Sequence, residues 1–130
     1  MTPEQREKQM LEAIDKETER LRNLLDLEYW QEFYVDSILT HDYAALTKEL
    51  EDMSKAKVEN TDLYVSVQDK WMQQIADSFK KVFTEEQWKQ YMKAGGQKAQ
   101  RERDKRRERP PRHPQIGKNS YLCTHYERSN

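Results

Sequence analysis

A chain of 130 residues, 36% charged and 35% hydrophobic, with a formal net charge of −1, has room for one ordinary domain and a tail, and is polar without being disordered. No run approaches the roughly 18 consecutive apolar residues of a membrane span, the opening Met1-Thr2-Pro3-Glu4-Gln5 lacks the basic and apolar regions of a signal peptide, and the single cysteine, Cys123, excludes an internal disulfide framework. A cytoplasmic location, or a nuclear one in a eukaryotic host, is the expectation.

The small net charge conceals an asymmetry. Residues 1–94 carry 13 Lys and Arg against 20 Asp and Glu, whereas residues 95–130 carry 10 against 4. All three tryptophans, all three phenylalanines and five of the seven tyrosines precede residue 95, and residues 5–94 contain neither glycine nor proline. Strands in so small a protein need turn chemistry every few residues, so this stretch is expected to be all-α.

The first helix is expected to start with Thr2 as cap and Pro3 in the first helical position, with Glu4, Glu7 and Glu12 near the positive end of its dipole. Leu11, Ile14, Thr18, Leu21 and Leu25 recur at spacings of 3, 4, 3 and 4, which makes a narrow apolar seam. Packing on another helix of the same chain is the plain reading of that seam. A homodimer or a partner helix seated on Leu11, Ile14, Leu21 and Leu25, in the manner of a coiled coil, is the functional one. Leu27, Trp30, Phe33, Tyr34, Val35, Ile38 and Leu39 then form a wider apolar face, expected to be the flank of the core. This helix is expected to be longer than its neighbours, running unbroken from Pro3 to Leu39 or bending near Leu25 to Glu28.

Thr40-His41-Asp42 is read as a break before a second helix with Tyr43, Leu46, Leu50 and Met53 on its buried stripe. Asn60-Thr61-Asp62 is the next polar break. A third helix follows with Tyr64, Val67, Trp71, Ile75, Phe79 and Val82 at helical spacing, and Trp71 is expected at the centre of the core. Thr84-Glu85-Glu86-Gln87 is a capping box that opens a short helix carrying Trp88, Tyr91 and Met92, and Gly95-Gly96 closes it. The expected architecture is a bundle of three to four helices in residues 1–96, a basic, partly helical arm in 97–112 and an irregular tail in 113–130. Pro110, Pro111 and Pro114 stop any helix at the end of the arm and the start of the tail.

The function classes are narrowed mainly by what is missing. No Gly-rich phosphate loop, nucleophile elbow or paired His-Glu zinc spacing occurs, and the body's one histidine, His41, sits among helix-capping residues. No enzyme activity, cofactor or small-molecule substrate is expected. Cys123 and His125 with His113 offer three ligands where structural zinc takes four, so no metal is expected either. The basic arm is the stronger candidate. Lys98, Arg101, Lys105 and Arg109 follow spacings of 3, 4 and 4 and form one helical stripe, flanked by Arg106 and Arg107. Such a stripe suits weak, electrostatic, sequence-independent association with nucleic acid. The alternative is a protein-binding module or inhibitor, even a nucleic-acid mimic, whose acidic helical surface meets a basic partner protein. No membrane association is expected.

Overall fold

The structure is a computed structural model that describes residues 2–109. It is an all-α bundle of α1 (Pro3–Leu25), α2 (Tyr29–Lys55), α3 (Thr61–Val82), the short α4 (Glu85–Tyr91), a five-residue π-type turn (Met92–Gly96) and α5 (Gln97–Glu108). No described helix is long and apolar enough to cross a membrane. Residues 110–112 of the arm, the tail from 113, and the zinc candidates His113, Cys123 and His125 lie outside the described residues.

Local chemistry sets the helix starts. Thr2 accepts from the Gln5 amide and the Gln5 side chain accepts from the Thr2 amide, a capping box ahead of Pro3 in the first helical turn. Thr84 and Gln87 make the same reciprocal pair at α4, as the sequence predicts. Asn60 caps α3 by accepting from the Asp62 amide.

The end of α1 follows the alternative that the sequence offered, a bend near Leu25 to Glu28. The chain breaks at residues 26–28, where Asp26 takes the left-handed conformation (φ 54°) and the Leu27 amide reaches back to the Arg22 carbonyl. With no glycine nearby, aspartate is among the residues that tolerate this conformation best. The expected break at Thr40-His41-Asp42 does not occur. Thr40 and His41 face solvent on the outer side of an uninterrupted α2, and polar residues without glycine or proline do not stop a helix whose other face is packed. At 27 residues α2, not α1 with 23, is the longest helix.

Short links make successive helices antiparallel neighbours. Ion pairs mark the registers: Arg22 with Glu32 at one end of α1–α2 and Arg6 with Glu51 at the other, then Glu49 with Lys70 between α2 and α3. Helix α2 packs against both α1 and α3, α4 against α1, and α5 against α3. The core joins Ile14, Leu21 and Leu25 of α1, Leu27, Val35 and Leu39, and Ile75, Phe79 and Phe83. Phe79, Phe83 and Tyr91 form a mutually touching aromatic cluster, with ring centroids 5.2 to 5.8 Å apart.

Two expectations about the core are corrected. Trp71 is half-buried at its edge, where the indole Nε1–H donates to Glu49 Oε1 at 2.8 Å. An indole needs a partner for its N–H, and here the surface carboxylate supplies it. Trp30, Phe33 and Tyr34 lie outside the core altogether. Of the expected face Leu27, Val35 and Leu39 are buried, and the polar Gln31 and Asp42 share the buried stripe of α2 with Val35 and Leu39.

Candidate functional site

Two surfaces are built in ways the fold alone does not require. The first is the outward face of the start of α2. Tyr29, Trp30, Phe33 and Tyr34 sit on two successive helical turns, and their exposures are 86%, 50%, 62% and 50%. Successive residues are about 100° apart around a helix, so these four span one arc. Gln31 and Val35, both fully buried, point the opposite way. The exposed rings are ordered against one another: Trp30 meets Tyr34 edge to face at 6.1 Å, and Phe33 meets Tyr34 edge to face at 5.7 Å.

Beside this face a groove of about 480 Å³ runs between α1 and α2, lined by Asp15, Thr18, Glu19, Arg22, Tyr29, Glu32, Phe33 and Asp36. Its one cation is already engaged. Arg22 Nη1 donates to Glu32 Oε2 at 2.7 Å, and Nη2 lies 3.7 Å from Glu19 Oε2. The hydrogen bond to Glu32 raises the Arg22 pKa above its ordinary value. Asp15 and Asp36 make no ion pair or hydrogen bond among the described residues. The groove is therefore an aromatic wall with an acidic rim.

The second surface is α5. Its inner side is tied to α3: Gln73 Oε1 accepts from both Gln100 Nε2 (2.8 Å) and Arg103 Nε (3.1 Å), while Arg106 holds Asp69 through two bonds of 2.6 and 2.9 Å. The bidentate carboxylate raises the Arg106 pKa. Arg106 is thus turned toward the bundle, and Arg107 pairs with Asp104 at 3.1 Å. Lys98, Arg101, Lys105 and Arg109 all face solvent and form no side-chain ion pair among the described residues. The helix is aimed by the turn before it. Gly95 adopts φ 134°, a conformation side-chain-bearing residues avoid, and a Cβ on Gly96 would lie 2.9 Å from the Tyr91 ring.

The apolar seam of α1 divides. Ile14, Leu21 and Leu25 are covered by the chain's own helices and offer no surface to a partner, whereas Leu11 remains 44% exposed. No group of three or more His, Cys, Asp or Glu side chains that could hold a metal occurs among the described residues. The aromatic face is the site that sequence reasoning missed, because it assigned those rings to the core. The available signal was an excess: residues 27–39 are apolar around too much of the helix for one buried stripe to use.

Comparison of the chain with protein-family models, with curated proteins and with solved structures gives no match.

Proposed function

We propose that the protein is a non-enzymatic binding module that recognises a partner protein through the aromatic face at the start of α2 and the acidic rim beside it. One observation carries this reading: four large aromatic side chains are exposed side by side on a helix whose opposite face is fully packed. Fully burying an exposed phenylalanine such as Phe33 is worth roughly 1.5–3 kcal/mol, most of which this face forgoes while it stands in water. Contiguous exposed apolar patches rimmed by polar groups mark interaction surfaces, and tyrosine, tryptophan and phenylalanine are enriched in them.

A second reading is favoured by a separate observation. The outward face of α5 presents Lys98, Arg101, Lys105 and Arg109 on a helix held in place by Gln100, Arg103 and Arg106. A rigid row of four cations suits weak, sequence-independent association with a nucleic-acid backbone.

A photo-crosslinking residue placed at Phe33, and separately at Arg101, in the producing cells tests the two against each other. Discrete protein adducts from position 33, absent from position 101 and abolished by Tyr29→Ala with Trp30→Ala, are the expected result. Nucleic-acid adducts from position 101 with none of any kind from position 33 would replace the first reading with the second.

A further inference from the structure

We infer that the occupant of the α1–α2 groove is a basic amphipathic helix of another protein, one that sets apolar side chains on Tyr29 and Phe33 and places lysine or arginine against Asp15 and Asp36. The inference rests on the protein-binding reading above and names the partner's chemistry. Four carboxylates and one guanidinium line the groove, and the guanidinium is spent on Glu32 and Glu19. Asp15 and Asp36, without partners of their own among the described residues, stand free to meet incoming cations.

Complementarity of sign at a rim steers encounter and rejects wrong partners, because like charges brought together cost several kcal/mol. The same reasoning separates the occupants. A second copy meeting face to face would bring Asp15, Glu19 and Asp36 against their own duplicates. An anionic lipid surface or a nucleic-acid backbone would meet the same repulsion. A cationic peptide meets none, and its ammonium or guanidinium groups gain further from the exposed rings of Tyr29 and Phe33. The shape also selects. A trough between two antiparallel helices accepts a third helix, which presents anchors at i, i+3, i+4 and i+7 along the groove.

The test uses two synthetic 14-residue amphipathic helices with the same leucine stripe, one with lysine on its polar face and one with glutamate. Binding to the full chain is followed by the anisotropy of a fluorophore on the peptide. The lysine peptide is expected to bind at least ten times more tightly than the glutamate peptide, and Phe33→Ala should weaken it at least fivefold. Asp15→Lys with Asp36→Lys should invert the preference. All three positions are on the surface, and unchanged far-ultraviolet circular dichroism checks that the variants fold.

Binding of both peptides alike, dependent on Phe33 and indifferent to the charge reversal, would overturn the basic-partner inference while leaving the aromatic face as a binding site. Lysine-peptide binding unaffected by Phe33→Ala, or no binding of either peptide, would overturn the inference at this groove. Concentration-dependent self-association in sedimentation that Phe33→Ala abolishes would overturn it in favour of a second copy.

Discussion

At the scale of single residues, the most informative side chain is Gln31, which is 1% exposed at one end of the bundle. Its amide pairs with that of Gln87: Gln31 Nε2 donates to Gln87 Oε1 at 2.7 Å, and Gln87 Nε2 donates back to Gln31 Oε1 at 3.2 Å. Each glutamine also accepts from the backbone amide at the start of its own helix, Glu28 or Thr84. Each donates its remaining N–H to the carbonyl that ends another helix, Val82 for Gln31 and Leu25 for Gln87. Both side-chain amides thus use their full capacity of two donors and two acceptors, which is what makes burying them tolerable. One pair of residues ties the ends of α1 and α3 to the starts of α2 and α4. Gln31→Leu keeps the volume and orphans partners on three elements, so a loss of about 2–3 kcal/mol is expected in urea denaturation. In a cycle with Gln87→Leu, the double variant should lose less than the two single losses together, by about 1 kcal/mol. A loss below about 0.5 kcal/mol for Gln31→Leu would mean the clasp does not hold the bundle. Tyr91 gives a second residue-scale test. Burial, and next the negative charge of Glu17, raise its phenol pKa, while Arg103 and Arg20 pull the other way. A group with a raised folded pKa contributes stability that is complete below the ordinary tyrosine value near 10 and is lost as pH rises through the folded value. Thermal melts between about pH 9 and 11 should therefore show wild type losing stability faster than Tyr91→Phe. Part of the decline should persist in the variant, because burial raises Tyr43 in the same direction.

At the scale of elements, the starts of α1, α3 and α4 were legible in the sequence, whereas the start of α2 at Tyr29 was not, since a new helix was expected only after Thr40-His41-Asp42. Capping boxes announce themselves through paired residue types three positions apart, and Thr2 with Gln5 and Thr84 with Gln87 do so. Stops are usually announced by glycine, and residues 5–94 have none. Here Asp26 and Lys57 take the left-handed position instead, with φ of 54° and 61°. In each case the next amide, Leu27 or Val58, bonds five residues back to Arg22 or Met53. The second case is invisible to residue preference, since lysine has no local hydrogen bond to offset the conformation. Lys57→Gly should accordingly stabilise the protein by up to about 1 kcal/mol, read as a higher urea midpoint. The aromatic face was misplaced for a related reason. Hydrophobicity marks a ring as apolar but does not say which arc of the helix is packed, and that is decided by where α1 and α3 lie. Gln31, a polar residue, occupies the buried arc because the clasp satisfies it. The arm's stripe was legible as a period, while its docking was not. Arg106 meets Asp69 37 positions away, and no local pattern announces that pair. Gly95 is what turns α5 back onto α3, so Gly95→Ala should release α5 alone. Hydrogen exchange checks this: amides of residues 97–108 should lose protection while those of Val35, Leu39 and Phe79 keep theirs. Unchanged protection in α5 would mean the docking contacts outweigh the turn.

At the scale of the whole molecule, charge is sorted by face as well as by sequence. The acidic rim lies between α1 and α2, and the basic row lies on the side of α5 away from α3, so a basic peptide and a polyanion would address different surfaces. The fold also lowers the number of cations the arm has free. Arg103 and Arg106 belong to its anchoring side, bonded to Gln73 and Asp69, and Arg107 leans on Asp104. Among the described residues of the arm, four remain: Lys98, Arg101, Lys105 and Arg109. Each phosphate neutralised on duplex DNA contributes about −0.9 to the slope of log affinity against log salt, so the nucleic-acid reading requires a slope of about −3 to −4. Affinity measured at several salt concentrations gives that slope directly. Changing the four to glutamine should bring it close to zero while helix content stays the same, since none of them holds α5 to α3. Asp69→Asn makes the finer distinction. It loosens Arg106 from its bidentate partner, so the slope should steepen by nearly one if the outward face of α5 tracks the phosphates, and should not change if it does not. Wild-type protein that binds neither DNA nor RNA at low salt would remove the nucleic-acid reading altogether. The basic row would then be a solvated face, and the aromatic surface of α2 would be the only one of the two still in need of a partner.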